Sequence, residues 1–248
     1  MKKLTCVVFS ILFIFCSACT ADKEKNSRNA ESEPKKNAQN NEIEYGSMDM
    51  EWIDYFNVQN LLENMEMVFI GTITDISFQV EDMKTGGLLP TKDSKAEDIR
   101  LCTIYHIDVK TMYKGETISN VKLSCLGGLR DYKLEEQLAL IKEYETYGGC
   151  INLVEDMPIY TIGKTYLFTV NQYANGTVAN GNPHQCTYNL YNPFEEKYFV
   201  GNANTTAKDI ISAFGKDKWD DFWTQWQKDN PDWEQRLDKE QVEKALAK

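Results

Sequence analysis

Two histidines and a scatter of cysteines are the residues of this chain best suited to chemistry, and their spacing limits what they can do. His106 lies in the alternating run TIYHIDV, on the side opposite Tyr105 and Ile107, and His184 follows Pro183 in a turn-forming stretch. Cys102, Cys125, Cys150 and Cys186 stand far apart, with none of the CxxC pairs of a zinc knuckle. Three states are open to them. In an exported domain they can form disulfides, with the pairing undetermined. They can stay buried thiols, because free cysteine packs as a small hydrophobe. With the histidines they could form a mixed Cys/His metal site, although a strand-face histidine and a turn histidine read more simply as ordinary polar residues. No G-x-S-x-G, H-E-x-x-H or P-loop pattern occurs. Glu135, Glu136, Glu143 and Glu145 fit the solvated face of a helix. The tract NQYANGTVANGN reads as a hairpin tip rather than a recognition loop. No catalytic residue, metal ligand or cofactor is assigned.

A different kind of chemistry is written at Cys19. Lys2 and Lys3 precede an apolar run, Leu4 to Cys16, of about 13 residues. A helix needs ~20 residues to cross a bilayer, so this run fits a secretory signal better than a membrane span. The following Cys16-Ser17-Ala18-Cys19 resembles the lipobox of bacterial lipoproteins, with Cys16 where that family usually has leucine. The resemblance implies cleavage after Ala18, acyl chains on Cys19, and a protein held on the extracytoplasmic face of the cell membrane. The plain alternative is an ordinary signal peptide and a free secreted protein. Residues 19–46 are rich in Lys, Glu, Asn and Ser. They lack the apolar surface to offset ordering entropy, and read as a disordered tether. The formal charge of −11 falls to about −13 once Lys2 and Lys3 are removed. An acidic chain argues against nucleic-acid partners, whose phosphates demand Lys and Arg, and leaves anchoring to the lipid.

The remaining residues must position any site. Asn57 is placed to cap a helix over Val58 to Asn64. MVFIGTITDISFQV alternates as a strand, with Val68, Ile70, Thr72, Thr74, Ile76, Phe78 and Val80 on one face and Gly71 marking a bend. Residues 81–98 read as a long loop. IRLCTIYHIDVKTMYKGE and ISNVKLSCLGG read as a hairpin, with Cys102 and Cys125 on neighbouring strands. A surface helix is predicted near 133–145, then strands in IGKTYLFTVNQY, QCTYNLY and KYFV.

The runs ENMEMVFIGTI, TIYHIDVKTMYKGE, VKLSCLGG and PIYTIGKTYLFTV resemble a pattern in exported proteins of Gram-positive bacteria. That pattern is similar to the OB-type barrel of tissue-inhibitor-of-metalloproteinases and netrin-like modules. The likeness covers about residues 57–200 and rests on structural rather than catalytic motifs. It implies a mainly β fold with helices: a five-stranded, OB-like antiparallel barrel over 47–202 and a C-terminal helical extension over 203–248. Metalloproteinase inhibitors of that fold use a free N-terminal cysteine against the target's zinc. Here the matching terminus would be lipidated Cys19 at the end of a tether, so that mechanism does not transfer.

In the extension, Thr206 and Asp209 have the form of a capping box, and Asn230-Pro231 restarts the helix. Trp219, Phe222, Trp223 and Trp226 fall on one helical face, which is expected to pack on the barrel or the final helix rather than form a glycan platform. The expected function is a non-enzymatic binding module for an extracellular protein or a glycan. The alternatives are an accessory subunit or sensor of envelope machinery, and a hydrolase with an unrecognised site.

Overall fold

The computed structural model describes residues 43–155, 157–173, 175–197 and 204–247. Residues 1–18, expected to be a signal, Cys19, residues 20–42 and residues 198–200 of KYFV lie outside them. In chain order the elements are β1 (Tyr45–Met48), α1 (Val58–Asn64), β2 (Met67–Asp82), β3 (Ile99–Lys114), β4 (Asn120–Leu126), α2 (Leu134–Tyr144), β5 (Ile151–Val154), β6 (Thr165–Gln172), β7 (Val178–Ala179), α3 (Pro183–Cys186), β8 (Thr187–Asn189), α4 (Ala207–Ser212), α5 (Lys216–Asp229), α6 (Trp233–Arg236) and α7 (Lys239–Leu246). The architecture is mixed α and β.

Strand β2 organises the sheet. It pairs antiparallel with β3 along one edge and with β6 along the other. β3 continues to β4, β4 to β7, and β7 back to β6, so the six-stranded sheet is hydrogen-bonded into a ring, with β8 added on β6. Not every pairing is antiparallel as expected: β4 meets β7 in parallel at Leu123 and Val178, and β1 pairs in parallel with β5 as a separate two-stranded sheet. β1 also contains Tyr45 and Gly46, so the folded part begins inside the 19–46 stretch expected to be tether. Gly46 lies so close to Asn152 that a Cβ would sit 2.3 Å from its Oδ1.

A bulge changes the expected faces of β2. Ile73 opposes Ile107 and Asp75 opposes His106, which leaves Thr74 as the extra residue. Before it, Phe69 and Ile73 point into the ring; after it, Ile76 does. The even-numbered face read from the alternation therefore belongs to two sides of the sheet. Gly71 sits at another register shift, and a Cβ there would meet Ile107 Cγ2 at 2.3 Å. The strand also runs past its expected end, through Glu81 and Asp82, both buried.

The ring interior is filled. Phe69, Phe168, Tyr105 and Ile107 pack there, and Tyr160 plugs it from the β5–β6 connection. Tyr160 meets Tyr105 edge-on at 4.9 Å between centroids, and its hydroxyl lies 3.1 Å from Thr187 Oγ1. Burial is essentially complete for Phe168, Tyr105 and Tyr160.

Outside the ring, α1 and α4 to α7 cover β2, β6 and β8. Trp219 and Trp226 of α5 are buried against Leu167, Leu190 and Tyr188, while Trp223 and Trp233 are half-buried at the edge of that cluster. The Trp stripe thus packs, as its spacing predicts. Trp226 Nε1 donates to Leu190 O at 2.7 Å, satisfying the one polar atom of the indole. The Thr206 capping box forms, with Asp209 N donating to Thr206 Oγ1 and Thr206 N donating to Asp209 Oδ2. Asn57 caps α1 as predicted. Two local readings shift. QCTYNLY begins in the short helix α3 before β8, and the restart after Asn230-Pro231 comes at Trp233. A third cluster joins α2 and β5 to the sheet through Ile141, Ile151, Phe78 and Leu101.

Candidate functional site

The ring core is filled apart from a pocket of about 270 Å³ beside Thr103, Tyr105 and Cys125, and two larger clefts lie on the outer surface. One cleft, of about 530 Å³, opens on the outer face of β2, β3 and β4. The register sets the face it opens on: Asp75, His106 and Lys122 stand in one cross-strand row, with Ser77 and Ser124 flanking the buried Ile104 in the next, and of these His106 and Lys122 line the cleft. Two connections wall it. Leu89 comes from the β2–β3 connection, and Asn175 and Thr177 come from the β6–β7 hairpin. Asn175 ties the walls together: its Nδ2 donates to Gly87 O, and its Oδ1 accepts from Thr177 N at 2.9 Å. The tract read as a hairpin tip is a tip, and it also forms this wall.

His106 is half-buried, not fully solvent-facing. Its Nε2 lies 2.8 Å from Ser77 Oγ, and its carbonyl accepts from Thr74 Oγ1 at 3.1 Å. Asp75 accepts from the Ile76 amide at 2.8 Å, and Lys133 Nζ lies 3.6 Å away. That amide, with Lys133 and His106 adding to it, holds the Asp75 carboxyl below the usual carboxylate range. Deeper in the face, Glu81 is 1% exposed. Its Oε1 accepts from Gln79 Nε2 at 2.6 Å and Ser124 Oγ at 2.8 Å. Amides and hydroxyls dominate the open part of the cleft: Thr74, Gln79, Asn120, Asn175 and Thr177, with Lys122 at the rim. Such groups donate and accept from one position, which suits sugar hydroxyls and peptide groups alike.

A second cleft, of about 680 Å³, lies between α5 and the outer surface of β2, β3, β6 and β8. Its floor is apolar and aromatic, its walls polar.

The other residues singled out from sequence do not converge on a site. His184 is exposed in α3, edge-on to Trp52 at 6.5 Å. Glu135 and Glu136 lie in the first turn of α2, and Glu136 Oε1 accepts from Phe78 N at 3.2 Å. Glu143 and Glu145 are exposed at its end. Cys102, Cys125, Cys150 and Cys186 are free thiols in the structure, three of them buried and Cys150 half-buried. Cys125 opposes Thr103, so Cys102 projects from the other face of the sheet even though the strands are neighbours. Burial, with Glu81 adding to it, pushes the Cys125 thiol up to about 12; burial pushes Cys186 up to about 11. Among the described residues no group of three or more His, Cys, Asp and Glu side chains is placed to hold a metal ion. No helix among them is long and apolar enough to cross a membrane.

Sequence reasoning missed the cleft because its parts are remote. Ser77 meets His106 only through the pairing of β2 with β3, and the Thr74 bulge sets which residues share that face. No protein-family model matches the chain, and no curated protein matches it.

Proposed function

We propose that the protein is a lipid-anchored extracytoplasmic module that binds an extracellular protein or glycan, without catalysis, in the cleft on the outer face of β2, β3 and β4. The observation that carries this reading is the cleft itself. It is a rigid strand face between two mutually tied loops, lined by amides and hydroxyls, on a ring whose interior is filled. Preformed clefts of roughly 300–1,000 Å³ with a few placed polar groups are the usual form of a ligand site.

The scaffold reads as an OB-type five-stranded barrel. The support is the order in which the ring closes, β2–β3–β4–β7–β6–β2, with a single parallel contact between β4 and β7. Such barrels bind ligands on an outer strand face between two loops. The lipobox-like run at Cys19 supports the anchor, and Cys19→Ala moves the protein from the membrane fraction to the medium. A variant still found in the detergent phase ends the anchor reading.

The binding reading is tested with the full-length protein, isolated cell-wall glycan and detergent-solubilised envelope proteins. Lys122 and Asn120 are exposed at the rim. The Lys122→Ala/Asn120→Ala double variant weakens retention about tenfold, as expected for losing one charged hydrogen bond. Retention equal to that of the wild type, or no retention of the wild type by either material, overturns it.

One observation favours a second reading. The Ser77–His106 hydrogen bond pairs a nucleophile with a base beside the same cleft, the minimal element of a serine hydrolase. Covalent labelling of Ser77 by a fluorophosphonate, abolished in His106→Ala, would replace binding by hydrolysis as the function.

A further inference from the structure

The second cleft has a ligand chemistry of its own. Along α5, Asp221, Gln225 and Asp229 recur every four residues and form one polar wall, with Gln225 Nε2 donating to Asp229 Oδ1 at 2.9 Å. The facing wall comes from strands and carries the hydroxyls of Thr72, Thr111 and Thr165, with Lys110 and Lys164 beside them. The floor between the walls is apolar: Phe222, Trp226, Leu190 and Ile70. The cleft is thus amphipathic across its width.

Two aromatic rings in it are fixed before any ligand arrives. Tyr113 stacks on Phe214 at 5.6 Å between centroids. Burial, with Asp221 adding to it, pushes its phenol up, so the hydroxyl stays a donor. Tyr191 is 54% exposed, yet it is held from one side. The Arg236 guanidinium carbon sits 4.1 Å from its ring centroid, and Arg236 Nη1 donates to Tyr191 O at 3.2 Å. Arg236 is itself fixed, with Nη2 donating to Asn230 Oδ1 at 3.0 Å and Nε 3.1 Å from Asp232 Oδ2. Tyr191 N donates to Asn189 Oδ1 at 2.9 Å. The ring is held by the Arg236 guanidinium and its backbone by Arg236 and Asn189, so part of the platform's ordering cost is already met in the free protein.

The charges select among ligands. Of the three lysines that line the cleft, Lys110 lies 3.5 Å from Asp108 and Lys218 lies 3.9 Å from Asp217, so two of the ammoniums face carboxylates of this chain, and Lys164 is exposed at the rim. The Asp221 and Asp229 carboxylates oppose a phosphate or carboxylate ligand. They accept well from neutral hydroxyls, which a carboxylate can take in pairs. A pyranose matches the whole arrangement, because its ring faces present C–H groups and its rim presents hydroxyls. We propose that the cleft between α5 and the sheet binds an uncharged pyranose oligosaccharide, with one sugar ring stacked on Tyr191 and its rim hydroxyls on the Asp221, Gln225, Asp229 wall.

Trp226 lines the cleft, so its fluorescence reports occupancy. The full-length protein is titrated with uncharged pyranose oligosaccharides and, in parallel, with uronate oligosaccharides of the same length. Neutral oligosaccharides shift the tryptophan emission saturably, and uronates bind more weakly. Tyr191→Ala weakens neutral binding about tenfold while the variant stays folded, the loss expected for one aromatic stack; Tyr191→Phe retains it. Lys92→Ala, outside both clefts, leaves this titration unchanged. No saturable shift with neutral oligosaccharides, tighter binding of uronates, or full binding by a folded Tyr191→Ala protein overturns the proposal.

Discussion

The inside and the outside of the ring are built on the same strands and have opposite characters. Inside, Phe69, Phe168, Tyr105 and Tyr160 fill the space, and the Tyr160 hydroxyl is bonded to Thr187 and Asn180. Outside, one part of the surface is covered by helices through Trp219 and Trp226, and two parts are left as clefts. Period-two alternation separates stability from recognition within each strand: Tyr105 and Ile107 hold the fold while His106, between them, faces a cleft. A side chain can therefore be altered on one face with little effect on the other.

The sharpest way to break this division is to remove an interior ring. Phe168 is fully buried, and Phe168→Ala costs about 3–5 kcal/mol, the usual cost of emptying a buried aromatic site. Against a total of about 5–15 kcal/mol this is large enough to show directly in chemical denaturation. A loss below about 1 kcal/mol would mean that the interior is not the core.

The buried thiols test both cores by pH, Cys125 inside the ring and Cys186 under the helices outside it. The thiol pKa values of Cys125 and Cys186 are raised in the folded protein, to about 12 and about 11, above the ordinary value of 9.0. Their contribution to stability is fully present below pH 9 and is lost as pH rises through the folded values, because the unfolded chain releases those protons first. Urea denaturation between pH 8 and pH 11 is expected to show a decline on the order of 5 kcal/mol, about half of it absent from Cys125→Ala. A flat wild-type profile would show that these groups are bridged or otherwise not titrating.

A smaller effect marks where the folded unit begins. Tyr45 donates to Asp131 Oδ1 at 3.0 Å, and its ring lies under the Arg130 guanidinium at 4.3 Å. Tyr45→Ala costs about 1 kcal/mol. Deletion of residues 21–42, which are polar and charged, changes stability by less than about 0.5 kcal/mol. Equal effects from both changes would place the boundary elsewhere.

What could be read from the sequence was local. Asn57, the Thr206–Asp209 box and the Leu134, Leu138, Ile141 spacing each carry a helix signal within a few residues, and each helix forms where expected. The Trp stripe was legible for the same reason. The faces of β2 were not, because one extra residue at Thr74 inverts an alternation that otherwise runs through Val80. The parallel pairing of β1 with β5 joins segments about a hundred residues apart and leaves no local trace. The candidate sites share that limitation. Ser77 and His106 meet across strands, and Tyr191 is held by Arg236 from a later helix, so neither pair forms a motif.

Lysine footprinting tests the central claim, that recognition takes place on the outer strand face, most directly. The full-length protein is acetylated with and without whichever envelope material retains it, and modification is read by mass spectrometry. Lys122 borders the strand-face cleft, whereas Lys92 is exposed in the β2–β3 connection and is not among the residues that line it. Bound material is expected to protect Lys122 and leave Lys92 fully reactive. Unchanged acetylation of Lys122 in the presence of material that the protein demonstrably binds would contradict the account.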